Sequence, residues 1–343
     1  MKKGCCLLLV LVWIIMIPAA LSEETVLTNI IVTVGGDSVL GTRKTYKTSE
    51  HTFETYIANN GYTWPYRHFL DLFTADDLTY VNLEGVFQDD ETGYYAKEFS
   101  FRGPTEFAKI LTESSIEHVN IANNHFGDYR KSGEESTIAA LEKEGIKYSG
   151  FRNLYVFEKD GIKIGFAGCR ETVYTEKATV VSDDIKELKA LGCDVIIYSF
   201  HFGKEYSPTH NKLQETMVKS AIKQGANIII GTHPHCVQGI DYIDGALVLY
   251  SLGNFVFGGT LDMRTFDAIL GQMELKFENG KYQGVNLRIL PILTSGSAPA
   301  NDFSPVFAKA EDYRRIMQLV QDDTPFEVTS DMWFSAIPPK KKK

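Results

Sequence analysis

Apolar residues in this chain fall into short runs, each ending abruptly at a glycine or a polar residue. That pattern predicts strands buried in a sheet core. Residues 29–34 (Asn-Ile-Ile-Val-Thr-Val) are rich in β-branched side chains and stop at Gly35-Gly36. Similar runs occupy 78–81, 116–122, 161–168, 193–199, 227–230 and 246–250. Helical patterns lie between them: 104–112 with proline in its first turn, 132–143, 182–191 with Ser182 as N-cap, and 209–224. Residues 42–75 read as mixed loop and helix. Strands that alternate with helices predict a layered α/β sheet. Two hairpins add to it. Residues 154–158 pair with 161–168 through Lys159-Asp160-Gly161, and 268–277 pair with 282–293 through Asn279-Gly280. The second hairpin suits the second sheet of a sandwich, and an amphipathic helix follows over 310–320.

The residues just beyond these runs carry more chemistry than a turn requires. Asp37 follows the first. Asn82-Leu83-Glu84-Gly85 ends the next, and Asn123-Asn124-His125 with Asp128 follows the third. His201-Phe202-Gly203-Lys204-Glu205, Gly231-Thr232-His233-Pro234-His235 and Ser251-Leu252-Gly253-Asn254-Phe255 end later ones. Each has a plainer reading when taken singly: Asp37 can cap a turn, 123–128 can be an Asn-rich cap, and an isolated His-x-His is weak evidence. Together they are more specific. Open α/β sheets bind ligands beyond the carboxyl ends of their strands, and parallel strands bring those ends to one edge. Asp37, Glu84, Asn124, His201, His233 and His235 are therefore predicted to converge. Carboxylates, an amide oxygen and imidazoles form a donor set for one or two divalent ions. Pro234 stiffens the backbone between the last two imidazoles.

The formal charge of −9, with acidic and basic residues interspersed, argues against a nucleic-acid binder. Met1-Lys2-Lys3, an apolar stretch from Cys5 to Ile17 and the small-residue exit Pro18-Ala19-Ala20-Leu21-Ser22 predict an export signal over 1–22, with an uncleaved membrane anchor as the alternative. About 320 residues remain, enough for one large α/β domain. Beyond the signal only Cys169, Cys193 and Cys236 occur, too few for a disulfide framework. Cys236, beside His235, reads as a small buried filler rather than a soft ligand. His51, His68, His118 and His210 fit no motif. The chain ends in Lys340 to Lys343, a solvated run or a contact with anionic lipid. No repeat or low-complexity linker divides the chain.

The ordered series Gly36-Asp37, Asn82-Leu83-Glu84, Asn123-Asn124-His125 with Asp128, His201-x-Gly203-x-Glu205, His233-Pro234-His235 with Gln238, and Ser251-Leu252-Gly253-Asn254-Phe255 resembles the bacterial capsule-biosynthesis CapA/PgsA family. That family is associated with poly-γ-glutamate and is similar to calcineurin-like metallophosphoesterases. The resemblance covers about residues 28 to 295 and implies a four-layer α/β/β/α sandwich domain over 28–300, with a C-terminal helical tail over 301–343. It implies that Asp37, Glu84, Asn124, His201, His233 and His235 are metal ligands for one or two ions of zinc, iron or manganese. It also implies that His125 acts on the leaving group of a phosphoester, oriented by Asp128. Arg102, Glu205, Gln238 and Asn254 are candidates for substrate contact or for support of the ligands. There are two departures from the superfamily pattern. Its opening D-x-H is here Asp37-Ser38-Val39, and its middle aspartate is Glu84.

Two functions of different class follow. One is an exported metal-dependent phosphoesterase-like hydrolase serving capsule or poly-γ-glutamate assembly, on the extracellular face of the membrane or secreted. The other is a non-catalytic subunit of a membrane-associated poly-γ-glutamate synthase and export complex. The missing histidine favours the second, while His125 with Asp128 favours the first. A third and weaker reading is a polyglutamate-cleaving metal hydrolase.

Overall fold

The computed structural model describes residues 25–46, 50–328 and 333–335. The expected signal or anchor (1–22) and the terminal lysine run lie outside those residues. Two sheets face each other. The first starts with β1 (Leu27–Val39), β2 (Leu78–Leu83), β3 (His118–Asn120) and β4 (Lys147–Ser149), each parallel to the one before. The second holds β5 (Tyr155–Lys159), β6 (Ile162–Arg170), β7 (Val195–His201), β8 (Ile228–Thr232), β9 (Ile240–Ile243) and β10 (Ala246–Leu249), in spatial order β9-β10-β8-β7-β6-β5. Its four central strands are parallel. The chain then returns to the first sheet as β11 (Asn254–Phe257), parallel to the end of β1. The hairpin β12 (Asp267–Glu278) and β13 (Lys281–Leu293) runs antiparallel beside the start of β1. That hairpin therefore extends the first sheet and does not form a separate one.

Period-two alternation sorts the side chains into layers. Ile30, Val32 and Val34 of β1, Ile164 and Phe166 of β6, Val195 and Ile197 of β7, and Ile228 and Ile230 of β8 meet between the sheets. Their sequence neighbours face outward to helices. Val81, Leu83 and Val119 lie under α1 (Phe53–Asn60), α2 (Ala108–Glu113) and α3 (Arg130–Lys143). Ile196, Tyr198 and Ile229 lie under α4 (Thr179–Ala190) and α5 (Lys212–Gln224). The result is the expected α/β/β/α order. Each large aliphatic side chain buried this way contributes about 1.5–3 kcal/mol, so these layers form a rigid frame for the strand ends. The last helix, α6 (Ala310–Asp322), adds Ile316 and Val320 to the core between the sheets.

Several predicted boundaries move by a few residues, two of them for a clear physical reason. Gly35-Gly36 does not stop β1, which continues to Val39. A Cβ on Gly36 would lie 1.9 Å from the Gly253 carbonyl oxygen, so glycine there permits close backbone approach and is not a strand terminator. Helix α4 starts at Thr179, and Ser182 is inside it, its hydroxyl donating to the Thr179 carbonyl at 2.8 Å. Buried Val180 and Val181 extend the apolar face by a turn and outweigh the serine signal. Among the described residues, no helix is long and apolar enough to cross a membrane.

Candidate metal centre

The carboxyl ends of β1, β2, β7 and β8 and the turn after β3 meet at one edge of the sandwich. Strand β1 changes partners there. Its first half pairs with β12, its end pairs with β11, and the register shifts at Asp37. Asp37 falls in register with Asn82 on β2 and Asn254 on β11, and its N–H donates to the Gly253 carbonyl at 3.0 Å. The Asn82 amide donates to Asp37 Oδ1 at 2.7 Å. Its own oxygen accepts from Asn120 at 2.8 Å and from Asn123 at 3.3 Å. This buried amide ladder fixes the carboxylate before any ligand arrives.

Three imidazoles come from the second sheet. His201, the last residue of β7, has Nδ1 at 3.0 Å from Thr232 Oγ1, which sets the ring's orientation. Its Nε2 lies 2.7 Å from Asn124 Oδ1 and 3.1 Å from His233 Nδ1. His235 Nδ1 lies 2.9 Å from Asn254 Oδ1, a contact that fixes the orientation of the ring. His233 and His235 flank Pro234 at φ +99° and +55°. Left-handed backbone at two non-glycine residues costs of order 1–3 kcal/mol each and persists where the surroundings demand it. Here one demand is the His233 N–H, which donates to Asp37 Oδ2 at 3.1 Å.

Glu84 shows most directly what the site needs. It is fully buried, and among the described residues neither carboxylate oxygen has a hydrogen-bond partner. Around Oε1 stand His201 Nε2 at 3.6 Å, His125 Nε2 at 3.8 Å and His235 Nε2 at 3.9 Å. Those separations are too long for hydrogen bonds but suit donors arranged about a common cation. Burial, then the charge of Asp37, pushes the Glu84 carboxyl well above the usual carboxylate range. Burial lowers His201 well below the ordinary imidazole value and His233 to about 4, with the neighbouring imidazoles adding to the effect. Burial opposes charge on His235 as well. There Glu84 and Asp37 outweigh it and raise the pKa to about 10. The two carboxylates thus call for positive charge between them, and a divalent ion would supply it. Ligand atoms of Asp37, Glu84 and His235 lie within 4.8 Å of one another, and the residues present fit such an ion.

His125 sits beside this cage. Its Nδ1 lies 2.8 Å from Asp128 Oδ2, which also accepts the Phe101 N–H at 2.7 Å. Lys97 pairs with the other Asp128 oxygen and donates to the Asn124 carbonyl at 3.1 Å. The Phe101 ring packs on the imidazole with centroids 4.3 Å apart. Burial lowers the His125 pKa, and Asp128 pulls the other way. Above His125 and His235 opens a cleft of about 280 Å³, walled by Phe99, Phe101, Tyr206 and Phe257 and carrying Arg43 and Arg264. Arg264 lies over the Tyr206 ring at 4.4 Å and Arg43 over Phe99 at 4.8 Å. Glu205, exposed, lines the same cleft.

The convergence predicted for Asp37, Glu84, Asn124, His201, His233 and His235 is the arrangement found, with His125, Asp128 and Asn254 against it. Two candidates lie elsewhere. Arg102 is held by the Gln88 carbonyl at 2.6 Å and Glu91 at 3.1 Å and is not part of the cleft wall. Gln238 is fully buried, accepting from Gln214 at 2.9 Å and donating to the Ser207 carbonyl at 3.0 Å. Cys236 is half-buried, its thiol donating to that same carbonyl at 3.2 Å. His118 packs between Tyr80 and Phe166 in the core, and His210 stacks on Tyr250 and pairs with Asp323. The local sequence points to no role for Asn82, Asn120, Asn123, Thr232, Lys97, Arg43 or Arg264. The asparagines recurring at successive strand ends are the one local signal for any of them.

The profile of the family described as bacterial capsule synthesis protein PGA_cap matches residues 31–259. A capsule biosynthesis protein CapA of Bacillus anthracis is 28% identical over 290 residues, covering 76% of this chain and 68% of its own. A PGA biosynthesis protein CapA of Bacillus subtilis (strain 168) is 30% identical over 233 residues, covering 61% of this chain and 60% of its own. This chain thus spans about three-fifths to two-thirds of the length of these relatives. Among solved structures, a candidate 5′-nucleotidase of Staphylococcus aureus in complex with alpha-ketoglutarate aligns with 86% of this chain and 58% of its own. Its TM-score is 0.50 at 14% identity, a likeness of fold alone. The fold is metallophosphoesterase-like.

Proposed function

This chain belongs to the bacterial capsule synthesis protein family, and from that premise we propose that it is an exported, metal-dependent phosphoesterase-like protein of capsule or poly-γ-glutamate biosynthesis. The observation that carries the reading is Glu84, whose buried carboxylate has no hydrogen-bond partner among the described residues while three imidazole nitrogens stand 3.6–3.9 Å away. Asp37, Glu84, Asn124, His201, His233 and His235 are the donors. Their mixture of carboxylate, amide and imidazole suits one or two ions of zinc, iron or manganese. Such an ion supplies Lewis acidity at a phosphoryl oxygen and brings the pKa of bound water towards neutrality.

The remaining work falls to the chain's own side chains. His125 gives a proton from Nε2 to the departing oxygen, while Asp128 holds Nδ1–H and so fixes which nitrogen faces the cleft. Burial makes that imidazole reluctant to charge, and an anionic substrate placed beside it reverses the bias. Arg264 and Arg43 attract the anionic substrate, a phosphoester or a segment of anionic polymer, and the aromatic walls exclude bulk water. Export, and work beside membrane-bound polymer synthase or export subunits, rest on the pattern of residues 1–22 and on the family.

One observation favours a second reading, a non-catalytic subunit of such a complex. Val39, where the superfamily carries a histidine, sits in an apolar cluster with Phe101 and Phe257 and offers no ligand. Elemental analysis and hydrolysis of an aryl phosphodiester separate the two. The enzyme reading expects one to two metals per chain and metal-dependent turnover. Metal without turnover supports the subunit reading, and a folded protein that takes up no metal removes the enzyme.

A further inference from the structure

The departure at Val39 leaves the site one donor short, and β1 cannot supply it, because Val39 faces Phe101 and Phe257. A replacement comes from the other sheet. After β7 the chain turns through Gly203, at φ +96°, and Tyr206, at φ +57°, so that residues 202–207 run alongside the His233-Pro234-His235 segment. The two segments are tied by backbone. The Phe202 N–H donates to the Thr232 carbonyl at 3.0 Å, and the Tyr206 N–H donates to the Pro234 carbonyl at 2.7 Å. Gln238 and Cys236 secure the next carbonyl, Ser207, from below. Between these ties stands Glu205. Ligand atoms of Glu205, His233 and His235 all lie within 4.8 Å of one another.

We propose that Glu205 is a metal ligand, supplying to the cation at His233 and His235 the donor that β1 lacks at Val39. This inference rests on the reading of the site as a metal centre. Two imidazoles and one carboxylate hold zinc at catalytic sites that keep one position open for water or substrate. Glu205 is exposed and reaches in from the cleft side, so that open position faces the substrate. Glu84 and Asp37 bind from the buried side. The centre thus keeps an acidic ligand on each flank, although the superfamily places a histidine on one of them. It also explains Gln238, which reaches no ligand itself but anchors the loop that carries one.

The test uses the full chain stripped with a chelator and titrated with Zn²⁺ alone against a competing chromophoric chelator. Wild type, Glu205→Gln and Glu205→Ala are compared, with thermal melts of the stripped proteins as the check on folding. Both variants should bind Zn²⁺ at least about tenfold more weakly, or lose one equivalent, while melting as stripped wild type does, because the side chain is exposed. Variants that bind with wild-type affinity and stoichiometry would overturn the role of Glu205 and leave the metal centre standing. Wild type that binds no Zn²⁺ would overturn both.

Discussion

His125 Nδ1 lies 2.8 Å from Asp128 Oδ2, three residues along the same turn, with both side chains buried and Nε2 facing the Glu84 carboxylate. On the proposed reading this pair is a proton donor and the carboxylate that orients it. His125→Ala should lower turnover of an aryl phosphodiester by at least roughly a hundredfold. Asp128→Asn should lower it by about tenfold to a hundredfold, because the amide can still hold the ring but tolerates the wrong tautomer. Metal content should stay at wild-type levels in both, and a parallel loss of metal and activity would refute a role in proton transfer.

Glu84 is buried without a hydrogen bond among the described residues, so removing the proposed cation should expose its cost. Chelation should lower the melting temperature, and added Zn²⁺ should restore it, by about 2.7 kcal/mol at a hundredfold excess over the dissociation constant. In Glu84→Gln the response to Zn²⁺ should shrink sharply, and the stripped variant should be at least as stable as stripped wild type, because a buried carboxylate has been replaced by a neutral group. Calorimetry with and without metal measures both effects.

Arg264 lies over Tyr206 in the wall of the cleft that His235 and Glu205 also line. Arg264→Ala should raise KM for an anionic substrate several-fold to about tenfold and leave kcat within about twofold, the pattern of lost ground-state binding. The effect should weaken as ionic strength rises. Steady-state kinetics at two salt concentrations tests this, and an equal fall in kcat and kcat/KM would contradict it.

Far from the site, Asp76 bonds Thr79 Oγ1 at 2.8 Å at the foot of β2. Burial, with Glu117 and Asp77 nearby, raises its pKa to about 7 even though Thr33 and Thr79 hydrogen bonds oppose the rise. A carboxyl whose folded pKa exceeds its unfolded value stabilises the fold when protonated. Its contribution is present below about pH 4 and is lost as pH rises through 7. Asp76→Asn should therefore lose less stability than wild type between pH 4 and pH 8, by about 1–2 kcal/mol once solvent screening is allowed for. Urea unfolding across that range measures the difference.

Much of this molecule is legible in its linear pattern. The β-branched runs identify the strands, and period-two alternation makes Ile197 face the opposite sheet and Tyr198 face the helices. The placement of Asp37, Glu84, Asn124, His201, His233 and His235 at strand ends points to a shared rim, because parallel strands align their carboxyl ends whatever their neighbours are. Even the asparagines of the amide ladder are present as a repeated type, though nothing local says that Asn82 bonds Asp37 and not solvent.

Register and loop direction were decided only in three dimensions. Gly36 reads locally as a stop, yet the Gly253 carbonyl, more than two hundred residues away in sequence, makes it a place for close approach within a continuing strand. Arg102 and Arg264 look alike as isolated cations. One is taken up by Gln88 and Glu91, while the other faces the cleft. Glu205 reaches His233 and His235 because two backbone hydrogen bonds tie separate loops together. Side-chain period is a property of a few consecutive residues, so sequence determined which faces are apolar and which ends are polar. The partners of those polar ends depend on contacts between distant segments, which only the packed sheets bring within hydrogen-bonding range.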